Sequence, residues 1–288
     1  EHTMTDVTCE SQVDMCAGQL QIVGRIGELR VTNLVTLYAE LDRVDFDVRI
    51  QKPATTNQQR LLHFFPVSTG ARDLRIETTA AVIRPVPEPD GDLLPGADTR
   101  RFAVQGFLDV SPAGRVGITL VPLDAFMLRL DQGALAFEAL GNDQNWKEVT
   151  QDQDGECHLR FRYSLRAHAP GFNNAAAFAW SRSVAAPLVC AAGHLAEGLQ
   201  DQPHLAVDPT RALVTCWKPA DAGVPGQTLV RVWETAGSNE PVAVTMPRCR
   251  SAIQTDLLER ERGALAVRFG ETSVPVRAHG FAAVRLEY

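Results

Sequence analysis

Two stretches of strict alternation constrain this chain more than any other feature. Between Arg43 and Ile50, apolar Val44, Phe46, Val48 and Ile50 alternate with charged Arg43, Asp45, Asp47 and Arg49. A strand points successive side chains to opposite faces, so this period predicts a strand with one face in a core and the other in water. From His158 to Arg166 the pattern returns, with Leu159, Phe161, Tyr163 and Leu165 opposite His158, Arg160, Arg162 and Arg166. Less regular strand-like runs lie at Glu28 to Leu41, Leu61 to Val67, Arg72 to Arg84, Arg101 to Val110, Val116 to Val121 and Phe126 to Asp131. Gly, Pro, Asp or Asn turns separate most of them. The helical period is confined to Asn173 to Ala185, an alanine-rich segment around Phe178 and Trp180 that Pro187 ends. Many strands and one short helix predict packed antiparallel sheets.

The division of the chain follows from where those runs break. Pro85 to Asp98, with four prolines and several acidic residues, reads as a long surface loop, and Gly193 to Pro209 as a second break. Beyond it come Ala212 to Trp217, Leu229 to Trp233, Val242 to Met246, Ala264 to Phe269 and Val284 to Tyr288, enough strands for a small sandwich. The expected organisation is a non-native or poorly ordered start over 1–20, a large β-sandwich domain over 21–204 and a small C-terminal β-domain over 205–288. No repeat of fixed period interrupts this plan.

Composition narrows the function classes. With 45% hydrophobic and 22% charged residues, the 288-residue chain has enough apolar material to fold. A net charge of -7 offers no general attraction for nucleic acid or an anionic membrane, while a neutral sugar stays open as a partner. The longest strongly apolar run, Ala185 to Ala192, is far short of the roughly 20 residues that cross a bilayer. The six cysteines, Cys9, Cys16, Cys157, Cys190, Cys216 and Cys249, lack the spacing of a zinc site or a dense disulfide scaffold and are expected as free thiols. Cys9 and Cys16 are the pair whose short intervening segment allows a bridge. The expected location is cytoplasmic, and a homo-oligomer is left open.

Read in order, several segments resemble the C-terminal region of the glycoside hydrolase family 38 α-mannosidases. Val44-Asp45-Phe46-Asp47-Val48-Arg49 and Arg60-Leu61-Leu62-His63-Phe64-Phe65-Pro66-Val67 are similar to a strand pair of that family. Phe107-Leu108-Asp109-Val110-Ser111 with Gly117-Ile118-Thr119-Leu120 resembles another. Phe161-Arg162-Tyr163-Ser164-Leu165-Arg166-Ala167-His168 is similar to its most recognisable piece, and Leu229 to Gly237 and Thr255 to Glu259 fit its last third. Two places depart: Pro122-Leu123-Asp124 stands where the family has an Asn-Asp pair, and Phe137 to Gly141 lacks an arginine common there.

The resemblance implies an all-β fold: a large antiparallel super-sandwich of the galactose-mutarotase-like type, followed by a smaller β-sandwich. It also implies that the zinc and the catalytic aspartates belong to an N-terminal catalytic domain of the same enzyme, absent from this chain. The expected role is then a non-catalytic wall of a carbohydrate cleft, with an independent carbohydrate-binding module as the alternative. No cofactor and no metal are expected in this chain.

The residues with chemistry to offer are few. A retaining glycosidase needs two carboxyl groups about 5 Å apart, whereas Asp45 and Asp47 on one strand face stand roughly 7 Å apart. His63 and His168 have no neighbour at metal-ligand spacing. Arg160, Arg162 and Arg166 make a basic stripe expected on a solvated face or a domain contact. Trp217 and Trp233 are expected in packing. His168, at the end of the best-matching segment, and Trp146, in a polar loop, remain as substrate-binding candidates. No catalytic residue is expected.

Overall fold

The structure is a computed structural model that describes residues 4–55, 59–67, 70–131, 134–141, 157–188, 205–221 and 223–288. The chain forms two compact units, Glu1–Phe172 and Asn173–Tyr288.

The strands of the first unit are β1 (Thr5–Val13), β2 (Ala17–Ile26), β3 (Leu29–Tyr38), β4 (Val44–Gln51), β5 (Arg60–Phe65), β6 (Leu74–Thr78) and β7 (Ala81–Ile83). They continue with β8 (Arg101–Ala103), β9 (Leu108–Val110), β10 (Gly117–Pro122), β11 (Met127–Asp131), β12 (Ala134–Gly141) and β13 (His158–His168). Nine of them make one antiparallel sheet in the order β1-β2-β3-β4-β13-β10-β9-β6-β7, and four make a second in the order β5-β12-β11-β8. The two alternating segments of the sequence are neighbours at the centre of the large sheet, with Phe46 opposite Tyr163 and Val48 opposite Phe161. Their apolar faces join a core that includes Leu74, Ile76, Leu108, Leu120, Leu128, Leu135 and Phe137. Each such side chain contributes about 2 kcal/mol on burial. Phe65 of the small sheet meets Phe46, Phe137 and Tyr163 at ring-centroid distances of 5.6, 6.1 and 5.1 Å, the edge-on or tilted arrangement that aromatic quadrupoles favour.

Four strands do not cover nine. Every residue of β1 is exposed, and Val13, Leu20 and Leu37 stay open to water on the face that carries Phe46 and Val48. The expectation of a poorly ordered start fails here, because β1 and β2 form a hairpin in register with the sheet. Its turn is closed by the Asp14 carboxylate, which accepts from the N–H groups of Cys16 and Ala17 at 2.7 and 2.8 Å. Thr5, Val7, Thr8 and Val13 supply β-branched side chains, but with neither face buried no alternation is required of them. Cys9 lies opposite Ile22, and both Cys9 and Cys16 are free thiols, as are Cys157, Cys216 and Cys249; Cys190 lies outside the described residues.

The second unit opens with α1 (Asn174–Ala185), followed by β14 (Ala206–Val207), β15 (Ala212–Pro219), β16 (Gln227–Glu234), β17 (Val242–Thr245) and β18 (Ser251–Thr255). It closes with β19 (Glu261–Leu265), β20 (Val267–Arg268), β21 (Glu271–Val274) and β22 (Phe281–Glu287). A five-stranded sheet, β15-β16-β22-β18-β19, and a four-stranded sheet, β14-β17-β21-β20, enclose a core of Val230, Val232, Val242, Val244, Val274, Val284 and Leu286.

The helix starts where its cap predicts, since the Asn173 side chain accepts from the Ala176 N–H at 2.9 Å. Buried Phe178 meets the Trp233 ring edge-on at 4.6 Å. The second unit therefore begins at Asn173 and not near residue 205: the helix needs a sheet for its apolar side and finds it in the strands that follow. Among the described residues no helix is long and apolar enough to cross a membrane.

Candidate functional site

Strands β9, β10 and β13 are consecutive in the large sheet, with Thr119 opposite Asp109 and Gly117 opposite His168. Because Leu108 and Val110 point into the core, Asp109 between them projects from the other face. Its carboxylate is only 1% exposed, and a charge removed from water needs close donors. It has three: the Thr119 hydroxyl at 2.7 Å, the Ser111 hydroxyl at 2.5 Å and His168 Nε2 at 3.0 Å. The other ring nitrogen of His168, Nδ1, lies 2.8 Å from the Ala169 carbonyl. Residue 117 must be glycine, since a Cβ there would stand 2.2 Å from Cε1 of the His168 ring. Both nitrogens of His168 thus lie within hydrogen-bond distance of acceptors of the same chain. The arrangement holds three strands in register.

The charged face of β4 and β13 is ion-paired. Asp45 accepts from Arg43 at 2.8 and 2.5 Å, from the Tyr38 hydroxyl at 2.8 Å and from the Ser164 hydroxyl at 2.5 Å. Burial pushes its carboxyl up, yet the bonds from Arg43, Ser164 and Tyr38 prevail and hold it below the usual carboxylate value. Asp47 behaves alike: burial raises it, and Arg160 (2.7 Å) and Arg49 (3.2 Å) bring it below the usual value. A glycosidase acid must keep its proton near neutral pH, and these two environments do the opposite. Arg162 grips Asp124 with two guanidinium nitrogens at 2.8 and 2.9 Å. Desolvation of half-buried Arg166 pulls its pKa down, against the pull of Asp109 and Asp42. Two members of the basic stripe, Arg160 and Arg162, are therefore each paired with a carboxylate, Asp47 and Asp124.

His63 lies at the edge of the core. Its Nδ1 is 2.6 Å from the Tyr163 hydroxyl, and its ring stands 5.4 Å from those of Phe161 and Tyr163. Burial lowers its pKa to about 4 and raises that of Tyr163. Of the tryptophans, Trp233 is buried, whereas Trp217 is 51% exposed, contrary to the packing role expected for it. Trp146 lies outside the described residues. Among the described residues no group of three or more His, Cys, Asp or Glu side chains is placed to hold a metal ion. The zinc that the family resemblance implies has no fitting donor set among them.

Asp109 is the polar residue that reading by spacing passes over. Its signal was a lone acidic residue between two core positions, Leu108 and Val110, with Thr119 in the neighbouring apolar run.

No family model matches the sequence, and no curated protein sequence matches it significantly. Solved structures do. An alpha-mannosidase from Enterococcus faecalis V583 superposes with a TM-score of 0.73 at 16% identity, over 98% of this chain and 35% of that one. A protein in glycosyl hydrolase family 38 from Enterococcus faecalis gives a TM-score of 0.71 at 16% identity, over 98% of this chain and 37% of its own. This chain has the fold of a part of those family 38 proteins and spans about a third of their length. That agrees with the all-β, two-sandwich fold expected from alternation and from the family resemblance.

Proposed function

We propose that this chain is the non-catalytic β-sandwich region of a glycosyl hydrolase resembling the family 38 α-mannosidases. In this reading it packs on a catalytic domain of the same enzyme and walls one side of its sugar cleft. The observation that carries it is the match in fold over 98% of this chain against about a third of the enzymes it resembles. The engaged carboxylates of Asp45 and Asp47 favour a structural role, as does the closed set of bonds around His168. Val13, Leu20 and Leu37, an exposed apolar overhang with no second layer among the described residues, are the surface assigned to the rest of the enzyme. His168 is a positioning residue that fixes the end of β13 where a cleft wall would begin, and the zinc of the reaction belongs to the catalytic domain.

The test is an assay of the purified chain on an activated aryl α-mannoside, beside the product of the complete gene. The expected result is no turnover by the chain and turnover by the complete product. Turnover by the chain that Asp45→Asn or Asp47→Asn abolishes would overturn the non-catalytic reading.

A further inference from the structure

In the second unit, the connection from β21 to β22 is held by more hydrogen bonds than a turn requires. Fully buried Glu234 accepts from the N–H groups of Ala236, Gly237 and His279 at 3.0, 2.9 and 2.9 Å. Burial pushes its carboxyl up, and those backbone donors outweigh it to keep the group below its usual value. The Ala278 N–H donates to Asn239 Oδ1 at 3.0 Å, the Gln254 side-chain amide to the Pro275 carbonyl at 3.2 Å, and the Trp233 indole N–H to the His279 carbonyl at 3.2 Å. His279 sits at φ 56°, a conformation that residues other than glycine rarely adopt. Its ring lies against Gly237, where a Cβ would come within 2.9 Å of Nε2. The loop is thereby fixed in one shape, which spares a ligand the cost of ordering it.

That shape forms a shallow pocket lined by Pro275, Val276, Arg277, Gly280 and Phe281. Phe281 stacks on buried Trp233, with ring centroids 5.3 Å apart and planes at 15°, yet remains 42% exposed. A flat aromatic ring backed by another and open to water suits the C–H face of a sugar. Arg277 is exposed, and its guanidinium has no carboxylate partner among the described residues. It offers a planar set of donors to an anion.

We propose that this pocket binds a pyranose ring bearing an anionic group, the ring lying on Phe281 and the carboxylate or phosphate on Arg277. The proposal stands on the second unit alone and does not depend on a missing catalytic domain.

The experiment titrates the full chain with methyl glucuronide, glucose 6-phosphate and methyl glucoside while following backbone amide NMR shifts. An anionic sugar is expected to shift Gly280 and Phe281 with a Kd on the order of 1 mM, as suits one stacked ring and one charged contact. The neutral glucoside should bind about tenfold more weakly. The larger response of the two anionic probes tells carboxylate from phosphate. Arg277→Gln should bring the anionic sugars down to the neutral level. Phe281→Leu, which keeps an apolar cover on Trp233, should remove binding of all three. No shift at Gly280 and Phe281 with any probe at millimolar concentration would overturn the proposal, and so would shifts that survive both substitutions.

Discussion

Phe46 on β4 and Leu20 on β2 stand in one row of one sheet, two strands apart, joined through Val35 on β3. Phe46 meets the Phe65 ring of the small sheet at 5.6 Å, whereas Leu20 meets water. The backbone is the same extended ladder at both places, so hydrogen bonding does not distinguish them. What differs is the second layer, and with it most of the stabilisation: burial of a large apolar side chain is worth about 2 kcal/mol, and an exposed one gains almost nothing. The centre of the large sheet is complete in itself. The β1–β3 end reads as half of a sandwich.

Substitutions that separate the two regions should span a wide range. Phe137→Ala, in the covered part, removes a ring with no exposure and leaves a cavity; a loss of about 3–5 kcal/mol by urea denaturation is expected. A loss below ~1 kcal/mol would show that the covered region is not the stabilising one.

Next in size is a pH effect from the edge of the same core. His63 has a folded pKa of about 4 against 6.5 when free, so the unfolded chain binds the proton first. The stability due to neutral His63 is fully present above pH 6.5 and is lost as the pH falls toward 4. The loss amounts to about 3 kcal/mol across that window. Denaturation midpoints measured through it should fall for the natural chain and stay flatter for His63→Phe. Parallel curves would remove His63 from the account.

His168→Ala leaves Asp109 short of one donor and should cost about 1–2 kcal/mol. Gly117→Ala should do at least as much, by driving the His168 ring off its place. If either variant keeps full stability, the cluster does not hold β9, β10 and β13 together. Smallest of all, Leu20→Ala or Leu37→Ala should change the stability of the isolated chain by no more than about 0.5 kcal/mol. A larger loss would mean that the overhang is already covered.

The same contrast explains what could be read from sequence. Val44 to Ile50 and His158 to Arg166 were legible because one buried face forces alternation. β1 was not, since a strand open on both sides imposes no pattern. The unit boundary was placed near residue 205 because Gly193 to Pro209 looks like a linker, while the partner of the Phe178 face, Trp233, lies 55 residues downstream. Among candidate site residues, His168 was picked from a family-like segment, but its partner Asp109 was not, because cross-strand register cannot be read from spacing. The loop that carries Arg277 and leads into Phe281 gave no sequence signal: its shape comes from Glu234, Asn239 and Gln254, which lie far from it along the chain.

The most direct test of the overhang as a contact surface is amide hydrogen exchange across β1, β2 and β3, measured in the isolated chain and in the product of the complete gene. In the isolated chain, β1 and the Leu20 and Leu37 ends of β2 and β3 should exchange faster than β4 and β13. In the complete product they should slow toward the rates of β4, while β4 and β13 stay unchanged. Equal exchange of β1 to β3 in both proteins would contradict the account, since the open face would then be open in the complete product as well.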